Sequence, residues 1–233
     1  MADPGPLAAF LFVCKVRAVF DELPKRHFAA ILVDPPWLFK TWGKEIGNRD
    51  PANHYALMTL DQIAAMPVSD LAAEDCILFM WATWPLLKQA LSVMDMWGFE
   101  YKTCAFAWMK ADVSTVDLFP DPVDADMGLG YWTRANSEFC LLGTRGKPLR
   151  MSRGVRQGII EPRRQHSRKP DCIYERIERL VLGPYLELFA RQRRKGWCAW
   201  GNQVGMFSPV DNSVEKSDWD SMWEIPFAKS HLL

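Results

Sequence analysis

The chain has 233 residues, of which 49% are hydrophobic and 24% charged, a composition typical of one globular domain with a substantial core. Its 28 basic and 28 acidic side chains give a formal net charge of zero, which excludes nucleic-acid binding through overall charge. Any such binding therefore requires a local basic patch.

Six cysteines, at positions 14, 76, 104, 140, 172 and 198, are scattered without a Cys-x-x-Cys pair. This spacing argues against a zinc site and against a secreted disulfide framework, and it fits a reducing cytosol. The apolar stretch 7–14 has no positive segment before it and is too short to span a bilayer. We therefore expect a soluble cytoplasmic protein with no metal and no membrane contact.

The stretches 10–17 and 28–33 are apolar and predict two buried strands. The second strand ends at Asp34, Pro35 and Pro36. Because parallel α/β sheets bind ligands at the carboxyl ends of their strands, Asp34 is a candidate site residue. Proline fixes φ and has no N–H, so we expect a stiff turn whose carbonyls are free to accept hydrogen bonds.

The side chains around this turn suit the chemistry of adenine. The exocyclic amine of adenine is a poor nucleophile, because its lone pair is delocalised into the ring, and it has two hydrogens to donate. The Asp34 carboxylate and the Pro35 carbonyl can accept both, while the Trp37 ring stacks on the base, a contact worth roughly 1–3 kcal/mol. A strand-ending turn with a core tryptophan explains the same residues equally well.

The next part of the chain alternates between strand and helix patterns. A polar stretch up to residue 54 is interpreted as a mobile gate or as an ordinary surface loop. Thr59 and Gln62 form a capping box that begins a helix. Strands are predicted at 76–81 and 99–108, with a helix over 85–97 between them. This alternation predicts an α/β fold, a mostly parallel sheet with helices on both faces.

The charge reverses in the second half of the chain. Residues 111–127 contain five aspartates and no basic residue, which is typical of a solvated insertion away from nucleic acid. After a strand over 137–142, residues 145–169 carry nine basic side chains and one acid, Glu161. Such a run suits contact with phosphates, so nucleic-acid binding should weaken steeply with salt. A solvated loop is the alternative.

The last predicted elements are a helix and a strand. Pro170 lies at the start of the helix, whose apolar stripe packs in the core. In the strand over 185–191, Glu187 is costly to bury unless it has a partner, which can be a ligand hydroxyl or amine or a structural ion pair. No Gly-x-Gly loop follows a strand, so dinucleotide and P-loop sites have no support.

Together these stretches resemble the MT-A70 family of S-adenosylmethionine-dependent adenine-N6 methyltransferases. The resemblance begins with Asp-Pro-Pro-Trp at 34–37 after an apolar strand and covers roughly residues 14–205. Residues 130–148 are similar to the family's Gly-x-Trp, acid, Cys-Leu-x-Gly and Gly-x-Pro pattern, and 187–191 to its Glu-Leu-Phe-x-Arg strand. Residues 166–171 resemble its Ser-His-Lys-Pro-Asp stretch, with His and Ser reversed and an Arg inserted.

The resemblance implies roles for individual residues. Lys169 would pair with the carboxylate of S-adenosylmethionine, and Arg193 and Arg194 stand where the family has His and Asn. The implied catalytic residues are Asp34, Pro35, Pro36 and Trp37, and the implied substrate-binding residues are Tyr55, Glu138, His166, Ser167 and Arg168. The implied cofactor-binding residues are Cys14, Lys15, Val16, Asp34, Lys169, Glu187, Leu188, Phe189, Arg191, Arg193, Arg194, Asn202 and Gln203.

The resemblance also implies a fold and an activity. Since Asp-Pro-Pro-Trp precedes the cofactor strand, we expect a Rossmann-like class I methyltransferase fold in the permuted, β-class-like order. The implied reaction moves a methyl group from S-adenosylmethionine to adenine N6 in nucleic acid and leaves S-adenosylhomocysteine. The short chain resembles the compact bacterial or phage members, which favours DNA over RNA. We expect one catalytic domain over 1–210 and an acidic tail over 211–233, in a homodimer or with a partner subunit.

Two other functions fit part of the pattern. A catalytically silent homologue would act as a nucleic-acid-binding or partner-activating subunit, although such subunits tend to lose the Asp-Pro-Pro-Trp motif that is intact here. An enzyme that methylates a protein amide or another amine usually begins this motif with Asn, and the basic run over 145–169 would then be unexplained.

Overall fold

The computed structural model describes residues 20–38, 57–110, 132–133, 135–165 and 167–207. Their strands form one seven-stranded sheet, which contains β1 (Phe28–Val33), β2 (Ala72–Ala82), β3 (Glu100–Lys110), β4 (Ser137–Arg145), β5 (Gly158–Glu161), β6 (Tyr185–Leu188) and β7 (Trp197–Trp200). The α-helices of these residues are α1 (Leu60–Ala64), α2 (Val68–Leu71), α3 (Leu87–Met96) and α4 (Cys172–Leu180). A short 3-10 helix, Trp84–Leu86, precedes α3.

The sheet is mostly parallel, as the sequence predicts. Its strand order is β5-β3-β4-β2-β1-β6-β7. The pairs β1–β2, β1–β6, β3–β5 and β6–β7 are parallel, whereas β4 is antiparallel to both β2 and β3. The beginning of β4 therefore lies at the same edge of the sheet as the carboxyl ends of the other strands, and we call this the carboxyl edge.

Helices cover both faces of the sheet, as expected for this fold class. On one face, residues of α1, α2 and α3, such as Ile63, Leu71 and Val93, pack with Ile31 and Leu78 of the sheet. On the other face, α4 contributes its apolar stripe to a second core cluster with sheet residues. The helices that the sequence predicts between the strands thus form one layer on each face of the sheet.

Several predicted boundaries are confirmed and others are shifted. The capping box exists, since Thr59 Oγ1 accepts from the Gln62 amide and Gln62 Oε1 accepts from the Thr59 amide. The helix α4 begins at Cys172, two residues after Pro170, because Asp171 is its N-cap. The short strands β5 and β7 were not predicted.

Some predictions fall outside the described residues. These are the strand over 10–17, most of the polar stretch up to residue 54 and the acidic stretch 111–127. The proposed division into a domain over 1–210 and a tail over 211–233 also stays a prediction, because the described residues end at 207. In the part of the chain that is described, no helix has the length and apolar character needed to cross a membrane.

Candidate active site

Asp34 lies at the carboxyl end of β1, where the sequence places it. Its side chain is 26% exposed, and its Oδ2 accepts a hydrogen bond from Lys169 Nζ at 2.7 Å. Among the described residues, no hydrogen bond reaches Oδ1. The carboxylate is therefore held by one cation and keeps one oxygen for a ligand.

Lys169 connects the two acids of the site. Its ammonium lies 2.7 Å from Asp34 Oδ2 and 3.3 Å from Glu138 Oε2. It also donates to the backbone oxygen and Oγ of Ser167, which has a positive φ of 58°. The Trp81 ring is 5.7 Å from this nitrogen. Lys169 thus neutralises charge at Asp34 and Glu138 together.

Glu138 lies at the beginning of β4, beside β3. Its Oε1 accepts from Lys110 Nζ at 2.5 Å, and both side chains are largely buried. Burial alone would raise the pKa of Glu138, but the ammonium groups of Lys169 and Lys110 outweigh it and hold the pKa at about 2. Glu138 is therefore an anion at neutral pH. The result is a row of alternating charges that runs from Lys110 through Glu138 and Lys169 to Asp34.

The proline turn differs in one respect from the expectation. The Pro35 carbonyl accepts from the Trp37 amide at 2.8 Å, and the Pro36 carbonyl accepts from the Met58 amide at 2.8 Å. The prediction that these carbonyls are free was wrong, because the chain folds back on the turn and pairs with it. Since a carbonyl oxygen has two lone pairs, Pro35 still has one for a ligand.

The Trp37 ring is fixed on the core side of the turn. Its indole N–H donates to the Trp81 carbonyl at 3.2 Å, and the half-buried ring packs against the core cluster that contains Ile31. Trp37 therefore has the packing role that the sequence left open. Its position next to Asp34 also allows contact with a base.

Glu187 is half-buried near the carboxyl end of β6. Its partner is the Tyr174 hydroxyl, which lies 3.1 Å from Oε1 and 3.0 Å from Oε2. Burial, together with the negative charges of Asp34 and Asp171, raises the pKa of Glu187 to about 8, although the hydrogen bond from Tyr174 opposes the rise. Glu187 is therefore largely protonated at neutral pH while the pocket holds no ligand.

Gln192 ties this region to the start of α4. Its Nε2 donates to Asp171 Oδ1 at 3.3 Å and lies 3.1 Å from the Tyr174 hydroxyl. Arg168 donates to Gln192 Oε1 at 3.4 Å and to Asp171 Oδ2 at 3.1 Å. These bonds fix the loop before α4 against the loop after β6.

One pocket at the carboxyl edge is lined by Asp34, Lys169 and Glu187 but not by Pro35, Trp37 or Glu138. It encloses about 460 Å³ of space, part of which is open solvent. The sequence-predicted residues that line it are Asp34, Ser167, Arg168, Lys169, Glu187, Phe189 and Arg191. The sequence did not single out Leu32, Trp81, Pro170, Ile173, Tyr174, Gln192 and Phe207, which also line it.

Of these additional residues, Phe207 is the farthest from Asp34 in the sequence. Its amide donates to the Arg191 carbonyl at 3.1 Å, and its ring has the guanidinium groups of Arg168 at 4.8 Å and Arg191 at 6.0 Å. A phenylalanine after a run of turns has no local sequence signal for a site, so only the fold reveals it.

Other predicted site residues are not brought to this pocket. Arg194 lies over the Tyr174 ring at 4.9 Å and donates from Nε to Glu178 at 3.3 Å, and the Leu188 side chain is fully buried in the core. Arg193, Asn202 and Gln203 are also not among the described residues that line it. Cys14, Lys15, Val16, Tyr55 and His166 lie outside the described residues.

The basic run is divided between two edges of the sheet. Arg163 and Arg164 follow β5 at the carboxyl edge, where Arg164 donates to Asp171 and to the Lys169 carbonyl. Arg150 lies at the opposite edge, since the next amide, that of Met151, donates to the Leu180 carbonyl at the end of α4. Only the later part of the run is therefore close to the pocket.

Among the described residues, no group of three or more His, Cys, Asp or Glu side chains is arranged to hold a metal ion. The negative charges of Asp34 and Glu138 are balanced by the Lys169 ammonium group.

Comparison with known proteins identifies the family. A family model described as MT-A70 matches residues 28–203. The Type II methyltransferase M.MunI of Mycoplasma sp is 31% identical over 215 residues, which cover 84% of each chain. The human N(6)-adenosine-methyltransferase catalytic subunit METTL3 is 28% identical over 86% of this chain and 32% of its own length. An MT-A70-like protein of Drosophila melanogaster is 30% identical over 85% of this chain and 30% of its own length.

The chain thus spans most of M.MunI and about a third of the animal relatives. The family model covers well over half of the chain, including both the Asp-Pro-Pro-Trp turn and the strand that carries Glu187. The expected fold agrees with this match. The chain belongs to the MT-A70 family.

Proposed function

We propose that this chain transfers a methyl group from S-adenosylmethionine to the N6 amine of adenine in nucleic acid, with DNA favoured over RNA. The observation that carries the proposal is the position of Asp34. It lies at the carboxyl end of a central strand, in a pocket, with one oxygen held by Lys169 and the other available. The names of the family relatives support N6-adenine chemistry.

Asp34 orients the target amine. Its Oδ1 accepts one N6 hydrogen, and the remaining lone pair of the Pro35 carbonyl accepts the other. The nitrogen lone pair then points out of the plane of the base toward an electrophile. Lys169 fixes the carboxylate in place beforehand, so that little reorganisation is needed during the reaction. Trp37 and, by family resemblance, Tyr55 flank the base.

The residues of the pocket fit S-adenosylmethionine. When bound, this cofactor supplies a methyl group on a positively charged sulfur. Arg168 and Arg191 line the pocket and would pair with the cofactor's carboxylate. The half-buried Glu187 carboxyl offers an acceptor for hydroxyl or ammonium groups, and its raised pKa reflects this unusual environment. S-adenosylhomocysteine is the product.

Lys169 has a further proposed role besides the one implied by family resemblance. Its ammonium pairs with Asp34 and Glu138 and lines the pocket, so we propose that it also holds the Asp34 carboxylate in place for the substrate. The remaining proposed cofactor contacts, from Cys14, Lys15, Val16, Arg193, Arg194, Asn202 and Gln203, rest on family resemblance alone.

DNA is favoured because the chain matches the compact M.MunI over 84% of that protein's length, whereas it matches METTL3 over 32%. The same comparison supports a place in the cytoplasm of a bacterium or of a phage-infected cell. Association as a homodimer or with a partner subunit is proposed by analogy with the family.

A second function is favoured by one observation. Arg194, which replaces a family Asn, packs on Tyr174 and binds Glu178 instead of lining the pocket. A chain that has lost cofactor contacts is suited to act as a nucleic-acid-binding or partner-activating subunit without catalysis.

Methyl transfer from labelled S-adenosylmethionine separates the two functions. Duplex DNA, single-stranded DNA and RNA are each offered to the wild type, to Asp34→Ala and to the exposed control Asp95→Ala on α3. We expect N6-methyladenine on at least one polymer by mass spectrometry, lost in Asp34→Ala and kept in the control. If every polymer is bound but none is methylated, the proposed enzymatic activity is contradicted and the role as a catalytically silent subunit is supported.

A further inference from the structure

Trp84 is an exposed tryptophan at the carboxyl edge of the sheet. Its side chain is 52% exposed, whereas Trp81, Trp97 and Trp108 are almost fully buried at 1%, 1% and 2%. Trp84 begins the 3-10 helix that follows β2. Because burying an aromatic ring is strongly favourable, a half-exposed one at the same edge of the sheet as Asp34 is a candidate contact for a ligand.

The Trp84 ring is held in a fixed orientation. Its indole N–H donates to Ser137 Oγ at 3.1 Å, and its ring packs at a tilt against the buried Phe139 ring, with centroids 4.5 Å apart. Both partners belong to β4. The only polar atom of the indole is therefore satisfied, and the ring presents an apolar surface to solvent that needs no rearrangement before it binds.

The position of Trp84 places it on the substrate side of Asp34. Val33 pairs with Met80, which sets Asp34 beside Trp81, and Trp84 lies three residues further, about 10 Å at the rise of an extended chain. Ser137, which holds the ring, is adjacent in sequence to Glu138 in the row of charges that ends at Asp34. Stacked bases are about 3.4 Å apart, so the distance equals a few nucleotides.

We infer that Trp84 is a stacking platform for an unpaired base of the nucleic-acid strand, a few nucleotides from the adenine that enters the pocket. This inference rests on the proposed function, since it requires a nucleic-acid substrate. A nucleobase fits the platform better than an apolar protein segment does, because the ring lies at the carboxyl edge next to the strand ends that carry Asp34 and Glu138, where a nucleic-acid substrate would have to pass.

The test measures binding of short labelled single strands of DNA and RNA by fluorescence anisotropy. Base–aromatic stacking is worth about 1–3 kcal/mol, so Trp84→Ala should weaken binding about 5- to 150-fold, and Trp84→Phe should retain most of the affinity. Ser137→Ala, which frees the ring without removing it, should have a smaller effect. The affinity for S-adenosylhomocysteine, measured by calorimetry, should not change in any of these variants.

The matched control is Tyr101→Ala. Tyr101 is an aromatic residue with 43% exposure near the beginning of β3, at the edge of the sheet opposite the pocket. The Tyr101→Ala variant should bind both polymers with the affinity of the wild type. A second readout uses 2-aminopurine near the target adenine, whose fluorescence should be quenched by stacking in the wild type and not in Trp84→Ala.

The outcomes distinguish this inference from the proposed function. If the wild type methylates a polymer and Trp84→Ala binds it with unchanged affinity and quenching, the proposed stacking role of Trp84 is wrong and the proposed methyltransferase activity is supported. The platform is also wrong if Tyr101→Ala weakens binding as much as Trp84→Ala does. If the wild type neither binds nor methylates any polymer, both the platform and the proposed function are wrong.

Discussion

Replacing Glu138 by glutamine should destabilise the folded protein by about 3 kcal/mol at pH 7. The two lysines lower the pKa of Glu138 from 4.5 to about 2, and each pKa unit equals about 1.36 kcal/mol of preference for the ionised form in the folded state. The side chain is only 15% exposed, so solvent screens this contribution little. For a chain of this size the loss corresponds to a fall in Tm of roughly 6–12 °C.

Urea denaturation at several pH values checks both the size and the sign of this effect. Since the pKa of Glu138 is lower in the folded state than in the unfolded state, its contribution is fully present above about pH 4.5. It is lost as the pH falls toward 2. The difference in unfolding free energy between wild type and Glu138→Gln should therefore be constant from pH 8 to 5 and shrink below that.

The strand β3, which carries Lys110, supplies a matched control. Glu100 and Lys102 are also 2.5 Å apart, but their side chains are 76% and 42% exposed, and exposed ion pairs contribute about 0–1 kcal/mol. Glu100→Gln should therefore change the unfolding free energy little at any pH. Equal losses in the two variants would refute the argument that burial gives the Glu138 pair its strength.

Three further predictions concern other parts of the site. The pKa of Glu187 is raised to about 8, so its burial lowers stability as the pH rises from about 4.5 to 8; Glu187→Gln should gain stability relative to wild type over that range in urea titrations. Gly201→Ala should lose roughly 1–3 kcal/mol in the same assay, because its Cβ would lie 2.6 Å from a backbone oxygen, whereas Gly154→Ala, with 3.8 Å to its nearest neighbour, should be neutral. In nucleic-acid binding, Arg163→Gln should lower the salt slope by about one and Arg150→Gln should not, because only Arg163 is at the carboxyl edge.

The sequence predicts the elements whose signals are local. The run from Phe28 to Val33 is apolar and ends at Asp34, so both the strand and the position of the acid follow from it. The capping box at Thr59 is likewise complete within a few residues. The strand β5 could not be predicted, because its four residues lie inside a basic run that hides their pattern.

The partners of the site residues depend on distant parts of the chain. Asp34 and Lys169 are separated by 135 positions, and no local pattern shows that they form an ion pair. The Pro35 carbonyl was expected to be free, but its acceptor capacity is partly used by the Trp37 amide. Glu187 was expected to need a ligand or a cation, whereas a tyrosine from α4 supplies its hydrogen bond. Such pairings follow from the sheet order and not from spacing.

The reversed direction of β4 affects how the molecule can vary. Because β3 ends and β4 begins at the carboxyl edge, the segment between them leaves and rejoins the sheet beside the pocket. Its base is closed by a hydrogen bond from the Lys110 amide to the Asn136 carbonyl. Doubling the length of a flexible loop costs only about 0.6 kcal/mol. A shorter or longer segment would therefore cost the fold little, because the sheet itself keeps Glu138 beside Lys169.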